Sequence, residues 1–216
     1  MLKTTTYKIH KELFSKANIS RSQTLEVISA AYGFKSYAAL KPKESQINEI
    51  CFFLYSSPLM AMQDRFKSFK GDNISDVTLE KALNVIFSDD GYSYFHDEVE
   101  LEESLTDSMS ELHEMLEAEL EEAASQSDGY AFEGAELTNS DIVNLPNGDL
   151  QLTVEMTASL SQVEGRMLST SSNIYDLVAR VKIPQISSTG FGFFEIISTE
   201  ISSRNSMYDY DLEDEQ

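Results

Sequence analysis

The chain has 216 residues, of which 37 are acidic and 16 basic, giving a formal net charge of −21; 41% are hydrophobic and 10% aromatic. That apolar content excludes a wholly disordered chain, and the length suffices for one large domain or two small ones. The charge repels nucleic-acid backbones and anionic membrane surfaces and attracts basic partners.

Met1–Thr6 lacks the apolar core of a signal peptide, and no stretch approaches the ~20 apolar residues that span a bilayer. The expectation is a soluble cytoplasmic protein without membrane association. Residues 4–17 have helical spacing, with Tyr7, Leu13 and Phe14 as candidate buried positions, and Asn18-Ile19 ends that helix. Ser20-Arg21-Ser22-Gln23 is a capping-box pattern opening a second helix, with Leu25, Ile28 and Ala31–Tyr32 on one face and Gly33 as its stop. Ser36 caps a short helix containing Tyr37 and Leu40, closed by Lys41-Pro42-Lys43. Residues 45–69 read as a helix interrupted at Pro58. Cys51, the one cysteine, excludes an internal disulfide and is expected as a buried, inert thiol in the apolar run 50–55. After a turn at Gly71-Asp72-Asn73, a further helix capped by Ser75 or Asp76 places Leu79, Leu83, Ile86 and Phe87 inward and closes at Asp89-Asp90-Gly91.

Charge then becomes one-sided. The 84 residues from 82 to 165 contain no lysine or arginine but 21 aspartates and glutamates, whereas residues 1–50 hold eight basic and four acidic side chains. Within that stretch, residues 97–125 predict one long helix, with Leu101, Leu105, Met109, Leu112, Leu116, Leu120 and Ala123 forming an apolar stripe. Glu103, Asp107, Glu111, Glu114, Glu117 and Glu121 follow the same rhythm on another face. No lysine offers an i,i+4 pair, so this helix depends on burying its leucines.

Beyond Ser127-Asp128-Gly129 the period changes to two. Leu150, Leu152, Val154, Met156, Ala158 and Leu160 alternate with polar residues, the pattern of a strand with one wet face. The turn residues Pro146-Asn147-Gly148-Asp149 predict a hairpin with an earlier strand in 130–145. Further strands are expected with Tyr175, Leu177, Ala179, Val181 and Ile183 inward, and from about Phe191 to Ile201, with Gly190-Phe191-Gly192 marking a bulge or bend. Residues 164–173 read as a surface loop. The expected fold class is α+β. It comprises a helical domain over residues 1–90, an α+β domain over 91–203 with the acidic helix 97–125 on an antiparallel sheet of about four strands, and a disordered acidic tail over 204–216.

The segment Ser20–Leu40 has a recognisable cadence in Ser20, Ser22, Gln23, Leu25, Glu26, Ile28, Gly33, Phe34, Ser36, Tyr37 and Leu40, with Ser29 where alanine is usual. It resembles the short helical N-terminal module of bacterial glyoxalase-superfamily-like and other bacterial proteins. The resemblance covers about a tenth of the chain, rests on caps and core positions, and implies a small helical bundle of bacterial or phage origin. It supplies no catalytic residue. The same segment also reads as a helix-turn-helix, with Lys35, Lys41 and Lys43 near its second helix, so residues 20–43 are the candidate for direct nucleic-acid binding.

The chemistry-bearing residues form no motif. His96-Asp97-Glu98 and Glu111-x-His113-Glu114 lack metal-ligand spacing and read as surface histidines among carboxylates. No nucleotide-binding glycine loop, nucleophile elbow or EF-hand spacing is present, and no pair of carboxylates is singled out for acid–base work. The sequence therefore names no catalytic residue, metal or cofactor. It points to a non-enzymatic bacterial or phage interaction protein binding a basic protein partner. Glu103, Asp107, Glu111, Glu114, Glu117 and Glu121 would form the acidic face, with Asp209 and Asp211 of the tail adding reach. Nucleic-acid mimicry and an inhibitor- or antitoxin-like subunit are two versions of this. A DNA-binding regulator, and an enzyme with an unrecognised carboxylate or metal site, are the alternatives.

Overall fold

The computed structural model describes residues 2–15, 17–47, 49–54, 56–69, 74–88, 93–125, 130–162 and 174–204. The expected turns at 71–73, 89–91 and 127–129 lie wholly or mostly outside them, as do the loop 164–173 and the tail from 205 with Asp209 and Asp211.

The first helix, α1 (Leu2–Ile9), runs into a π-helical turn, His10–Phe14, and the backbone reverses at Asn18, whose φ is +50°. Tyr7 was expected inside but is 53% exposed, with the Arg21 guanidinium 5.4 Å from its ring centroid. Thr5, Thr6 and Ile9 face inward instead, and the extra residue in the π turn resets the helical phase so that Phe14 is buried. At the start of α2 (Arg21–Ala31) the capping box forms: the Gln23 N–H donates to Ser20 Oγ at 3.2 Å and the Ser20 N–H to Gln23 Oε1 at 2.7 Å. Ser36 caps α3 (Tyr37–Leu40), which passes through a 3-10 turn around Pro42 into α4 (Glu44–Ile47).

The expected helix over 45–69 divides. Its apolar run becomes β1 (Phe52–Leu54), and α5 (Ser56–Ser68) begins just before Pro58. A short apolar run cannot be told from a strand by periodicity. Pro58 sits in the first turn, where an N–H would lack a helical acceptor, so it interrupts nothing. In α6 (Asp76–Ser88) Leu79, Leu83, Ile86 and Phe87 are buried as expected. Next comes β2 (Ser93–Phe95), parallel to β1 with Phe52 opposite Ser93 and Leu54 opposite Phe95.

The acidic helix is two helices, α7 (Glu98–Thr106) and α8 (Glu111–Ala124). The break follows from side chains that compete with the backbone ladder. Asp107 Oδ1 accepts the Met109 N–H at 2.8 Å, the Ser110 hydroxyl donates to Leu105 O at 2.5 Å, and Ser110 Oγ caps α8 by accepting the His113 N–H at 3.0 Å. Leu101, Leu105, Leu112, Leu116 and Leu120 are all buried, whereas Met109 leaves the stripe for solvent.

Four longer strands, β3 (Tyr130–Asn144), β4 (Leu150–Gln162), β5 (Ile174–Ile183) and β7 (Glu195–Arg204), form one sheet in the order β3-β4-β5-β7, and β4 and β5 alternate as expected. Every even position of β4 from Leu150 to Leu160 is buried, as are Leu177, Ala179, Val181 and Ile183 of β5. The strand expected from Phe191 to Ile201 is instead two: β6 (Gly190–Phe191) pairs antiparallel with β1, and β7 pairs antiparallel with β5.

The chain groups into two compact units. One comprises Met1–Glu100, Leu145–Leu150 and Ile183–Phe194, the other Leu101–Asn144, Gln151–Lys182 and Glu195–Gln216. Both are discontinuous, so no single cut near residue 90 separates them. The first is α-rich around a small three-stranded sheet, β2-β1-β6. Its core includes Phe14 edge-on to Phe66 (5.9 Å) and Phe53 stacked on Phe87 (4.2 Å), with Tyr32 against both of the latter. The second is α+β, with α8 lying against β3.

Within the first unit, residues 187–190 close the C-terminal end of α2. The Thr189 hydroxyl donates to Ala31 O at 2.7 Å and the Ser188 hydroxyl to Gly33 O at 2.9 Å. Gly33 has φ +79°, and a Cβ there would meet the Ser188 backbone N at 2.7 Å. Gly33→Ala should therefore destabilise the protein by more than ~1 kcal/mol, through both left-handed strain and the backbone clash, as read by urea denaturation. An unchanged midpoint would remove this contact from the account.

Candidate functional site

Helix α7 starts from Asp97, whose Oδ1 accepts the Glu100 N–H at 3.0 Å, while the Glu100 carboxylate accepts the His96 N–H. Its inner face carries Leu101, Leu105 and Thr106, which leaves Glu103 exposed. Asp107 is exposed in the following turn. On α8 the buried positions Leu112, His113, Leu116, Leu120 and Ala124 define one face, and Glu111, Glu114, Glu121 and Glu122 are exposed on the other. Glu111 and Glu114 lie in the first turn, where the helix dipole favours negative charge; Glu121 and Glu122 lie in the last, where it opposes it. The scaffold holds them because leucine burial stabilises by ~1.5–3 kcal/mol per side chain, against a few tenths for each like-charge pair.

Glu117 differs from the others of its series. It is half-buried, and its Oε1 accepts the Ala135 N–H of β3 at 3.3 Å, so it joins α8 to the sheet. Glu102 plays a similar part in α7 by accepting from the Ser140 hydroxyl at 2.5 Å. Five of the six helix-region residues picked from sequence are thus exposed, and the sixth is a structural clasp. Among the described residues, no lysine or arginine forms an ion pair with Glu103, Asp107, Glu111, Glu114, Glu117 or Glu121. The unit carrying them has 23 acidic and 4 basic residues, a net charge of −19, whereas the other has 14 and 12.

The remaining candidates resolve into structural roles. His113, read as a surface residue, is 7% exposed on the inner face of α8, because the helix starts at Glu111 and the break moves its phase. His10 is half-buried, with Nδ1 3.0 Å from Thr24 Oγ1. Cys51 is half-buried rather than buried, and burial pushes its thiol pKa up, away from the reactive thiolate. Among the described residues, no three His, Cys, Asp or Glu side chains gather in a way that could hold a metal. An open cavity of about 520 Å³ in the first unit is lined by Phe34, Lys35, Asp64, Arg65, Ser68 and Ser188, among others. Its Arg65 is already engaged, donating to Lys35 O and lying 3.5 Å from Glu26 Oε2.

Lys35, Lys41 and Lys43 are exposed around α3, but α3 is a single turn, and its Leu40 is fully buried. A helix-turn-helix lays a longer recognition helix in the major groove. No helix of the described residues is long and apolar enough to cross a membrane. The chain matches no known protein family, no curated protein and no solved structure.

One carboxylate of the sheet is electrostatically distinct. Burial pushes the Asp176 pKa up, but the hydrogen bond from Arg204 Nε (2.9 Å), that from the Thr157 hydroxyl (2.8 Å) and the Arg204 charge together hold it below its ordinary value. Because the folded-state pKa is the lower one, the stabilisation is fully present above the unfolded value of about 4 and is lost as pH falls through the folded value. Arg204→Ala should raise the Asp176 pKa in an NMR titration. It should also cost more stability at neutral pH than at a pH below the folded-state pKa, where the carboxylate is protonated in both folded and unfolded states.

Proposed function

We propose that this protein is a non-enzymatic interaction protein whose acidic face, formed by α7, α8 and the turn between them, binds a basic protein partner. The observation that carries this reading is the placement of Glu103, Asp107, Glu111, Glu114 and Glu121. They stand exposed on two ordered helices and the turn between them, without an ion-pair partner among the described residues, in a unit of net charge −19. Charge that served only to keep the chain dispersed would need no such segregation. A fixed array of carboxylates steers a cationic surface and sets its register, which a floppy tract cannot do.

The partner is either a nucleic-acid-binding protein whose site the acidic face occupies, or the basic member of an inhibitor- or antitoxin-like pair. The resemblance of residues 20–40 to a bacterial module supports a bacterial or phage setting, and the reading places the pair in the cytoplasm. No catalytic residue, metal or cofactor enters it. A second reading, a DNA-binding regulator, is supported by the exposed Lys35, Lys41 and Lys43. It requires the full chain to shift duplex DNA in a gel at low salt.

Replacing Glu111, Glu114 and Glu121 by lysine should abolish capture of the basic partner from a host lysate while leaving the unfolding midpoint within about 0.5 kcal/mol of the parent. Glu117 is left intact because it clasps β3. Affinity for the recovered partner should fall by about tenfold or more between roughly 0.05 and 0.3 M salt. An affinity insensitive to salt would sink the reading.

A further inference from the structure

Two exposed methionines stand in the acidic face. Met109 is 87% exposed, the most exposed large hydrophobic residue among those described, and Met115 is 44% exposed. The turn bearing Met109 is ordered by other groups: its own N–H is held by Asp107 Oδ1 (2.8 Å), and the Ser110 N–H donates to Asp107 O at 2.8 Å. Folding therefore asks nothing of the methionine side chain, yet its backbone is fixed before any partner arrives. That lowers the entropy lost when the side chain docks.

Met115 lies on the solvent side of α8, four residues from both Glu111 and Glu119 and three from the small, exposed Ala118. Residues at these spacings are neighbours on a helix surface. Met115 and Ala118 thus make a neutral strip bordered by the carboxylates of Glu111, Glu114, Glu119 and Glu122. A face built only to imitate a phosphate backbone would keep charge at these positions, since a phosphate-binding surface is polar and would leave methionines in water. Apolar strip and carboxylate border are instead complementary to a helix with an apolar stripe flanked by lysines or arginines. Methionine's unbranched, polarizable side chain suits it to such a surface.

We infer that Met109 and Met115 are the apolar anchors of the acidic face, and that the partner element it receives is an amphipathic basic helix. This rests on the acidic-face reading above and narrows it to a protein-docking surface.

The test uses the full chain and two synthetic peptides of equal length and equal lysine content. One has leucines at i, i+3, i+4, i+7 spacing, and the other has glutamines at those positions. By titration calorimetry at physiological ionic strength, the leucine peptide should bind about tenfold more tightly than the glutamine peptide. Met109→Gln with Met115→Gln, which leaves the charge unchanged at two exposed sites, should erase that margin and leave glutamine-peptide binding as it was. Equal binding of both peptides by the parent protein, or a margin that survives the double substitution, overturns the anchor assignment while the acidic-face reading stands. Failure of both peptides to bind overturns both readings.

Discussion

Burial of a leucine stripe on helices that are otherwise dense in carboxylate is the interaction on which the acidic half of this molecule depends. Like charges three and four residues apart oppose α7 and α8, and no lysine relieves them. Each repulsion is small and screened by salt, whereas each buried leucine contributes several times as much. Leu101, Leu105, Leu112, Leu116 and Leu120 therefore set the orientation of both helices. The carboxylates are left where burial does not reach, and the exposed acidic face is the complement of that choice. Its order comes from the core beneath it.

Two carboxylates that clasp the sheet show how the same residue type is divided between tasks. Glu117 and Glu102 reach back to Ala135 and Ser140 of β3, and so hold the helices against the sheet with charge-assisted hydrogen bonds. A comparable division occurs in the first unit. Asp149 is buried, yet its carboxylate accepts the Gln185 N–H and the Asn147 amide, each at 2.8 Å, so the hairpin turn after β3 is bound to the segment after β5. That segment in turn covers the carbonyls at the end of α2 over Gly33. Polar groups make these joins because each leaves a donor or acceptor that would be costly to bury unpaired.

Much of the fold was legible in the sequence where a pattern is long enough to average over local accidents. The alternation from Leu150 to Leu160 and the stripe of Leu79, Leu83, Ile86 and Phe87 each repeat often enough to name an element and its inner face. Caps were legible too, because Ser20, Gln23 and Ser36 act on backbone groups within three residues of themselves. The errors fall where a few residues decide. Asp107, Ser108 and Ser110 carry a turn signal, but the leucine rhythm on either side masks it in the sequence. Met109 consequently went to the core, and His113 to the surface. The acidic face was legible as a composition; its clasp, Glu117, was not, since nothing in its spacing distinguishes it from Glu114 or Glu121.

By itself the sequence determined the α+β class, the identity of the long elements, their buried faces and the segregation of charge, because these follow from periodicity and from groups close along the chain. Tertiary structure alone decided the rest. It joined Phe52–Leu54 to a parallel strand at Ser93–Phe95, divided residues 190–204 between two sheets, broke the acidic helix and turned Met109 outward. Those outcomes depend on partners far along the chain, or on a contest between local hydrogen bonds and helix propagation. One-dimensional spacing does not record how such contests end.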